Sequence, residues 1–208
     1  MAKDYSEDQL IQRSAAELME KELGWTSVYA FDKEVLGTNG TLGRASYHEV
    51  LLTGRFRKAL KTLNPWLTDK QLQECVERMT EHMSSQTLMQ INEQKYQYIK
   101  DGVPVTRVKP NGETEEVRAK VIDFTSPEKN DFLCVREMWV YGALYHRRAD
   151  IVGFVNGLPL LFMELKNHDV EVVDAFNKNY RDYLDTIPQL FYHNAFIMFS
   201  NGLEARVG

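Results

Sequence analysis

The sequence has few cysteines and no long run of apolar residues. Its two cysteines, Cys75 and Cys134, lie far apart and form no CxxC pair, as expected for isolated core thiols in a reducing compartment. The longest nearly apolar stretch, from Ile151 to Met163, is interrupted by Asn156-Gly157 and is too short to span a bilayer. No basic-then-apolar leader opens the chain. We therefore expect a cytoplasmic protein with no membrane segment.

The sequence also lacks an excess of basic residues. It has 25 lysines and arginines against 30 aspartates and glutamates, a formal net charge of −5. Since affinity for nucleic acid comes largely from cations that face phosphates, any nucleic-acid site must be a local patch, or a larger assembly must hold the nucleic acid. The apolar fraction of 43% is ordinary, so 208 residues can form a sizeable core.

The first half of the chain has the pattern of helices. Apolar residues recur at helical spacing, and Ser, Thr and Gly stand where caps are expected. A capping-box pattern at Ser46-Tyr47-His48-Glu49 predicts the start of the second helix, and Thr68 with Gln71 predicts the cap of the third. The four expected helices cover residues 6–24, 46–64, 68 onward and about 85–100.

From Val103 onward, β-branched residues and turn signals predict strands. The expected elements are a hairpin over 103–124 around Asn111-Gly112, a strand over 131–141, a hairpin over 149–166, a helix over 170–186 and a strand over 195–199. We expect one α/β domain over 1–208, with a helical layer to about residue 102 and a sheet-containing core after it. Residues 203–208 show no termination pattern, so we expect the chain to be part of something longer.

Asp150, Glu164 and Lys166 form the candidate site. Hydrolysis of a phosphodiester needs a metal that polarises the phosphate, and Mg²⁺ prefers oxygen ligands such as one or two carboxylates. A neighbouring lysine can orient water or stabilise developing negative charge. Glu164 and Lys166 share one face of a predicted strand while Leu165 faces the core, so the Leu165 backbone carbonyl is a further candidate ligand. Charged residues also flank apolar strands without any function, so this pattern alone is weak.

The register of the second hairpin decides whether Asp150 joins this face. A regular two-residue turn at Asn156-Gly157 pairs Asp150 with Met163 and sends Glu164 to the opposite face. A three-residue loop over 155–157 places Asp150 opposite Phe162 and diagonal to Glu164, on its face. The sequence therefore allows the site only with an odd-length loop or an equivalent bulge.

Several short segments follow one another in order over nearly the whole chain. They are Leu23-Gly24-Trp25, Leu63-Asn64-Pro65, Ile122-Asp123-Phe124 with Asn130-Asp131-Phe132, Arg148 to Leu160, Met163 to Asn167, and Ile187 to Phe191 leading into Phe199-Ser200-Asn201-Gly202. Together they resemble the nuclease region of type I restriction-modification R subunits.

The resemblance implies a restriction-endonuclease-like PD-(D/E)xK core, a central mixed sheet flanked by helices. It implies that Asp150 and Glu164 bind Mg²⁺ and that Lys166 is the catalytic lysine, with Ala149 at the proline position. The family's QxxxY element falls on the next helix. Its tyrosine corresponds to Tyr183, and Asn179, one methylene shorter, stands at the glutamine position. Tyr183 is equally well explained as a half-buried aromatic with a hydrogen-bonded hydroxyl.

Other charged residues are weaker candidates. Arg147 and Arg148 precede Asp150 and either contact phosphate or belong to a surface strand. Acidic residues of the first helix join the site in some of the wider superfamily, but solvated positions are commoner. The candidates there are Glu7, Glu17 and Glu20, and a basic stripe on the second helix comprises Arg55, Arg57, Lys58 and Lys61.

The resemblance implies a module of a longer, ATP-driven subunit. The chain has no GxxxxGK[ST] stretch, so ATP is expected to bind only to the full-length subunit. The implied substrate is double-stranded DNA, cut away from the recognition site, and the implied partners are methylation and specificity subunits. Two alternatives are a non-catalytic structural or assembly domain and a stand-alone resolvase or repair nuclease.

Overall fold

The computed structural model describes residues 7–82 and 84–208. Four helices occupy the first half: α1 (Glu7–Leu23), α2 (Thr53–Leu63), α3 (Asp69–Thr80) and α4 (Leu88–Asp101). Helix α1 ends at Gly24, whose φ of +71° lies in the left-handed region that glycine tolerates. Its predicted N-cap, Ser6, lies outside the described residues.

One predicted helix cap is confirmed and another is wrong. Thr68 and Gln71 form the predicted capping box of α3, and an equivalent box of Thr87 and Gln90 starts α4 three residues later than expected. The prediction that the second helix starts at residue 46 is wrong, because α2 begins at Thr53. The backbone N–H of Leu52 instead donates to Gly157 O over 2.9 Å, which ties this segment to the second hairpin.

A six-stranded mixed sheet forms the centre of the fold. Its order is β1-β4-β5-β6-β7-β8, with β1 parallel to β4, β6 parallel to β7 and the other neighbours antiparallel. The strands are β1 (Thr26–Tyr29), β4 (Phe132–Tyr141), β5 (His146–Val155), β6 (Leu158–Leu165), β7 (Phe196–Ser200) and β8 (Ala205–Val207). The predicted strands and hairpins are confirmed, whereas the two edge strands β1 and β8 were missed.

The hairpin around Asn111-Gly112 is present but lies outside this sheet. Strands β2 (Val103–Val108) and β3 (Thr114–Ala119) pair only with each other among the described strands. Their buried residues pack with α2 and α3 around Phe56, Leu60 and Cys75, so this hairpin completes the helical layer.

The segment after β6 is helical where predicted, but it is not one regular helix. Short α-helices α5 (Val172–Asp174) and α6 (Arg181–Thr186) flank a π-helix, Ala175–Tyr180, and a 3₁₀ turn, Pro188–Phe191, follows. One extra residue per turn rotates the side chains that come after it, so side chains on this segment do not follow α-helical spacing.

Two apolar clusters cover the central sheet. Helix α1 packs Ala16 and Met19 against Cys134 and Ile151, and a separate cluster joins Phe162 of β6 to the segment that follows it. The predicted α/β architecture with helices flanking a mixed sheet is confirmed. Among the described residues, no helix is long and apolar enough to cross a membrane.

Candidate active site

The β5–β6 hairpin brings Asp150 and Glu164 together through a bulge. Asn156 (φ 54°) and Gly157 (φ 81°) make a two-residue turn, with Val155 opposite Leu158. The register then shifts between Gly153 and Phe154, so that Leu160 is the extra residue.

Beyond the bulge Ile151 pairs with Met163, and one further step places Asp150 opposite Glu164. The predicted requirement for an odd loop or an equivalent bulge is confirmed through the bulge. The three-residue loop, with Asp150 opposite Phe162, is not the solution that the chain adopts. Gly153 suits the bulge, because a Cβ there would lie 2.9 Å from Leu161 Cβ.

Lys166 contacts Glu164 directly, and Asp150 binds the backbone of Leu165, the residue between them. The backbone N–H of Leu165 donates to Asp150 Oδ2 over 2.7 Å, and Lys166 Nζ donates to Glu164 Oε1 over 2.6 Å. Leu165 points its side chain into the α1 cluster, as the alternation of the strand predicts. The two carboxylates and the lysine therefore converge on one side of the hairpin.

The electrostatics of the pair disfavour two free negative charges. Burial, followed by repulsion from Glu164, holds the pKa of Asp150 well above its usual range. Glu164 is 1% exposed, and its Oε2 is buried with no hydrogen-bond partner among the described residues. Such an oxygen is costly unless a cation or donor reaches it. No group of three or more His, Cys, Asp or Glu side chains within the described residues is arranged to hold a metal.

Asn179 and Tyr183 lie beside this pair. Asn179, in the π-helix, donates its side-chain amide to Glu164 Oε1, so the shorter side chain reaches the carboxylate. The buried Tyr183 hydroxyl donates to Arg148 O over 3.1 Å, and its ring meets Phe162 edge-on at 5.5 Å. Both contacts hold the helical segment against the two strands that carry the carboxylates.

One cavity of about 530 Å³ is lined by Asp150, Glu164, Leu165, Lys166, Asn179 and Tyr183. Two of its other lining residues were not anticipated from the sequence, Gln12 of α1 and Glu137 of β4. Glu137 is 4% exposed and, by the pairs that flank it, stands opposite Asp150. The sequence signal for Glu137 was a glutamate within a largely apolar strand. Gln12 had no comparable signal.

The two arginines before Asp150 have different surroundings. Arg147 is bound to Asp182 through Nε and Nη2, and its Nη1 donates to His146 O. Arg148 contacts Glu137 through Nε. Both line the cavity.

The other weak candidates lie elsewhere. Glu17 is ion-paired with Arg13 and Lys21, Glu20 is exposed, and the side chain of Glu7 is outside the described residues. The basic stripe of α2 belongs to a different surface, where Arg55 pairs with Asp131.

Residues 4–208 match the family model described as the type I restriction enzyme R protein N terminus. The chain belongs to this family. Among R-protein relatives, the HindI endonuclease subunit of Haemophilus influenzae is 31% identical over 192 residues, 90% of this chain and 18% of the relative.

Two further relatives are also named as endonuclease subunits of type I restriction enzymes. A protein of Methanocaldococcus jannaschii, provisionally named as the type I restriction enzyme MjaIXP endonuclease subunit, is 31% identical over 208 residues, 98% of this chain and 19% of the relative. The SauMSSORF170P endonuclease subunit of Staphylococcus aureus is 27% identical over 197 residues, 88% and 19% respectively. The chain thus spans about a fifth of the length of these R-protein relatives.

Proposed function

We propose that this chain is the DNA-cleaving domain of a type I restriction enzyme R subunit, with a PD-(D/E)xK core. The observation that carries the proposal is the convergence of Asp150 and Glu164, on opposed positions of a bulged hairpin, with Lys166 bound to Glu164. The family to which the chain belongs supports the same activity, since the relatives are named as endonuclease subunits.

The donor set fits Mg²⁺. Asp150 and Glu164 would hold the ion, with the Leu165 carbonyl as a third protein ligand, and Mg²⁺ commonly takes one or two carboxylates and completes its shell with water and substrate oxygens. The unpartnered Glu164 Oε2 and the mutual repulsion of the carboxylates are what a cation would relieve. When bound, the ion supplies a polarised phosphate and hydroxide near neutral pH.

The surrounding residues supply position and charge. The Leu165 N–H holds the Asp150 carboxylate, and Asn179 holds that of Glu164, so neither carboxylate has to reorganise when DNA binds. Lys166, with a side chain 24% exposed, lies between Glu164 and solvent. In the reaction its ammonium stabilises negative charge that develops on the phosphate or orients the attacking water.

The wider setting of the reaction is part of the proposal. The cavity accepts the backbone of double-stranded DNA, and the domain acts in the cytoplasm within a complex of R, methylation and specificity subunits. ATP binds to the remainder of the subunit and drives translocation. Cleavage away from the recognition site fits a domain with no base-reading motif.

The test is cleavage of a circular plasmid by the full-length subunit in its complex, with ATP hydrolysis measured in the same reaction. Lys166→Ala should reduce cleavage ~100-fold or more, because a cation aimed at developing charge is lost, and should spare ATP hydrolysis. Lys70→Ala, on the exposed face of α3, is the matched control and should leave both activities unchanged. Wild-type cleavage by Lys166→Ala would refute the assignment and favour an assembly role.

The magnesium site has its own test. Asp150→Asn keeps the shape of the side chain and removes its charge, so calorimetric titration with MgCl₂ should show a sharp loss of affinity with little change in thermal stability. Asp182→Asn changes a carboxylate that is paired with Arg147 and should titrate as the wild type does. Unchanged Mg²⁺ binding in Asp150→Asn would remove Asp150 from the site.

A further inference from the structure

Glu137 has a backbone conformation that glutamate rarely adopts. Its φ is +56°, and the only other non-glycine residue with positive φ among the described residues is Asn156, in the hairpin turn. Left-handed conformation is strained for a residue with a long side chain and persists where the surroundings enforce it. Glu137 lies within β4, opposite Asp150, where no turn requires such a conformation.

This conformation changes which face of the sheet the strand presents. Leu133 and Val135 lie in the apolar cluster beside Tyr183, and so do Met138 and Val140, although regular alternation would put these two pairs on opposite faces. The side-chain alternation is therefore reset around Glu137. The reset keeps apolar residues in the core and leaves Glu137 buried with its carboxylate beside the cavity.

The Glu137 carboxylate binds one arginine. Its Oε2 contacts Arg148 Nε, and the two side chains are 5% and 39% exposed. The guanidinium also lies over the rings of Phe31 and Trp139, with centroid distances of 4.6 and 5.7 Å. A buried anion and two aromatic faces thus hold a cation that borders both the cavity and solvent.

The contact to Glu137 uses Nε and leaves the terminal amino groups of Arg148 available. Within residues 7–82 and 84–208, no hydrogen bond is made by these groups, whereas Arg147 uses Nε and both of its terminal nitrogens. A guanidinium held at one edge presents its remaining donors in a fixed fork, a geometry that matches phosphate oxygens.

We propose that Arg148 binds a phosphate of the DNA strand being cut and that Glu137 is the positioning residue that holds it there. This inference rests on the proposed nuclease function and assigns two further residues to the same cavity. Arg147, tied to Asp182, has no such role. The strained backbone at Glu137 is maintained because it places the carboxylate behind the guanidinium.

The test is a double-mutant cycle on plasmid cleavage by the full-length subunit in its complex. Glu137→Gln and Arg148→Ala should each slow cleavage ~10- to 100-fold, since small misplacements of a phosphate-binding group are costly. The double variant should be no slower than Arg148→Ala, because Glu137 acts through that arginine. Arg148→Lys, which lacks the fork, should not restore the rate. Asp182→Asn, which frees Arg147, should cleave at the wild-type rate.

A stability measurement separates positioning from support of the fold. Glu137→Gly removes the carboxylate and relieves the positive φ, and Arg148, 39% exposed, stays hydrated without its partner. Cleavage should therefore fall while the Tm changes little. A Tm lowered by several degrees, with cleavage lost only in proportion, would make Glu137 a structural residue and overturn the proposal. Multiplicative effects in the double variant would overturn it too.

Failure of this inference is distinguishable from failure of the nuclease assignment. If Lys166→Ala abolishes cleavage and Glu137→Gln cleaves normally, only the roles of Glu137 and Arg148 are wrong. If Lys166→Ala cleaves normally, the cavity is not the nuclease site, and both the proposed function and the roles of Glu137 and Arg148 are wrong.

Discussion

The buried His193 should make the fold sensitive to acid. Its Nε2 donates to Met79 O over 2.8 Å, at the end of α3, and its Nδ1 is buried with no partner among the described residues. The ammonium of Lys95 lies nearby and donates to Arg78 O, 2.6 Å away, and to Glu81 O. Burial first, and then repulsion from Lys95, lowers the pKa of His193 from 6.5 to about 4.

The sign and size of the effect follow from proton linkage. Above pH 6.5 the imidazole is neutral in both folded and unfolded chains. Between pH 6.5 and about 4 the unfolded chain binds a proton at this imidazole and the folded chain does not. The unfolding free energy therefore falls as the pH is lowered through this range, and it levels off below pH 4. At about 1.4 kcal/mol for each pKa unit, His193 accounts for a loss of about 3 kcal/mol of unfolding free energy.

The substitution His193→Gln isolates this contribution. Glutamine keeps an N–H donor for Met79 O but does not titrate. The unfolding free energy of the wild type minus that of the variant should therefore fall by about 3 kcal/mol from pH 7 to pH 4. The assay is urea unfolding of the chain at several pH values. His48→Gln makes the same exchange at an exposed position and serves as the control. A difference that stays constant from pH 7 to pH 4 would show that His193 does not cause the loss of stability in acid.

Two predictions concern the fold around the site. Glu34 accepts two hydrogen bonds from Arg44, both side chains being no more than 1% exposed. Glu34→Gln should therefore lower the unfolding free energy, measured with urea, by about 3 kcal/mol or more. The double variant Glu34→Met with Arg44→Met should recover most of this loss. Equal losses in the single and double variants would contradict the prediction. Gly157→Ala should destabilise the chain more than Gly112→Ala. Both positions have positive φ, but a Cβ at Gly157 would lie 2.6 Å from Leu52 O, while a Cβ at Gly112 would face open space. Equal shifts of the Tm in the two variants would rule out this steric cause.

Local signals were reliable where the structure is decided by neighbours in sequence. Thr68 and Gln71 satisfy each other's backbone across one turn, so the capping box was readable directly. Ser46 and Glu49 also fit the capping-box pattern, yet no helix starts there, because Leu52 is bound to Gly157 more than 100 residues later. The short edge strands β1 and β8 were missed because three or four residues carry too little alternation to indicate a strand.

The candidate site likewise combines features that local sequence predicts with features that depend on distant segments. Two carboxylates and a lysine could be picked out from the sequence, and strand parity set the condition under which they meet. Which solution meets that condition was decided by the tertiary structure. Asn156 is buried in the two-residue turn, where its side-chain amide donates to Val121 O. Gly153 has no side chain to clash with Leu161, so the strands can pair around the compensating bulge.

From the sequence alone we could predict the residue types of the candidate site, the alternation that puts Glu164 and Lys166 on one face, and the family. Long-range packing was needed to bring Asp150 opposite Glu164, to let Asn179 reach Glu164 from a π-helix, and to add Glu137 to the cavity. The difference lies in the range of the interactions. Alternation and caps are set within a few residues, whereas a bulge, a π-turn and a left-handed glutamate persist only because packing from distant segments outweighs their local cost.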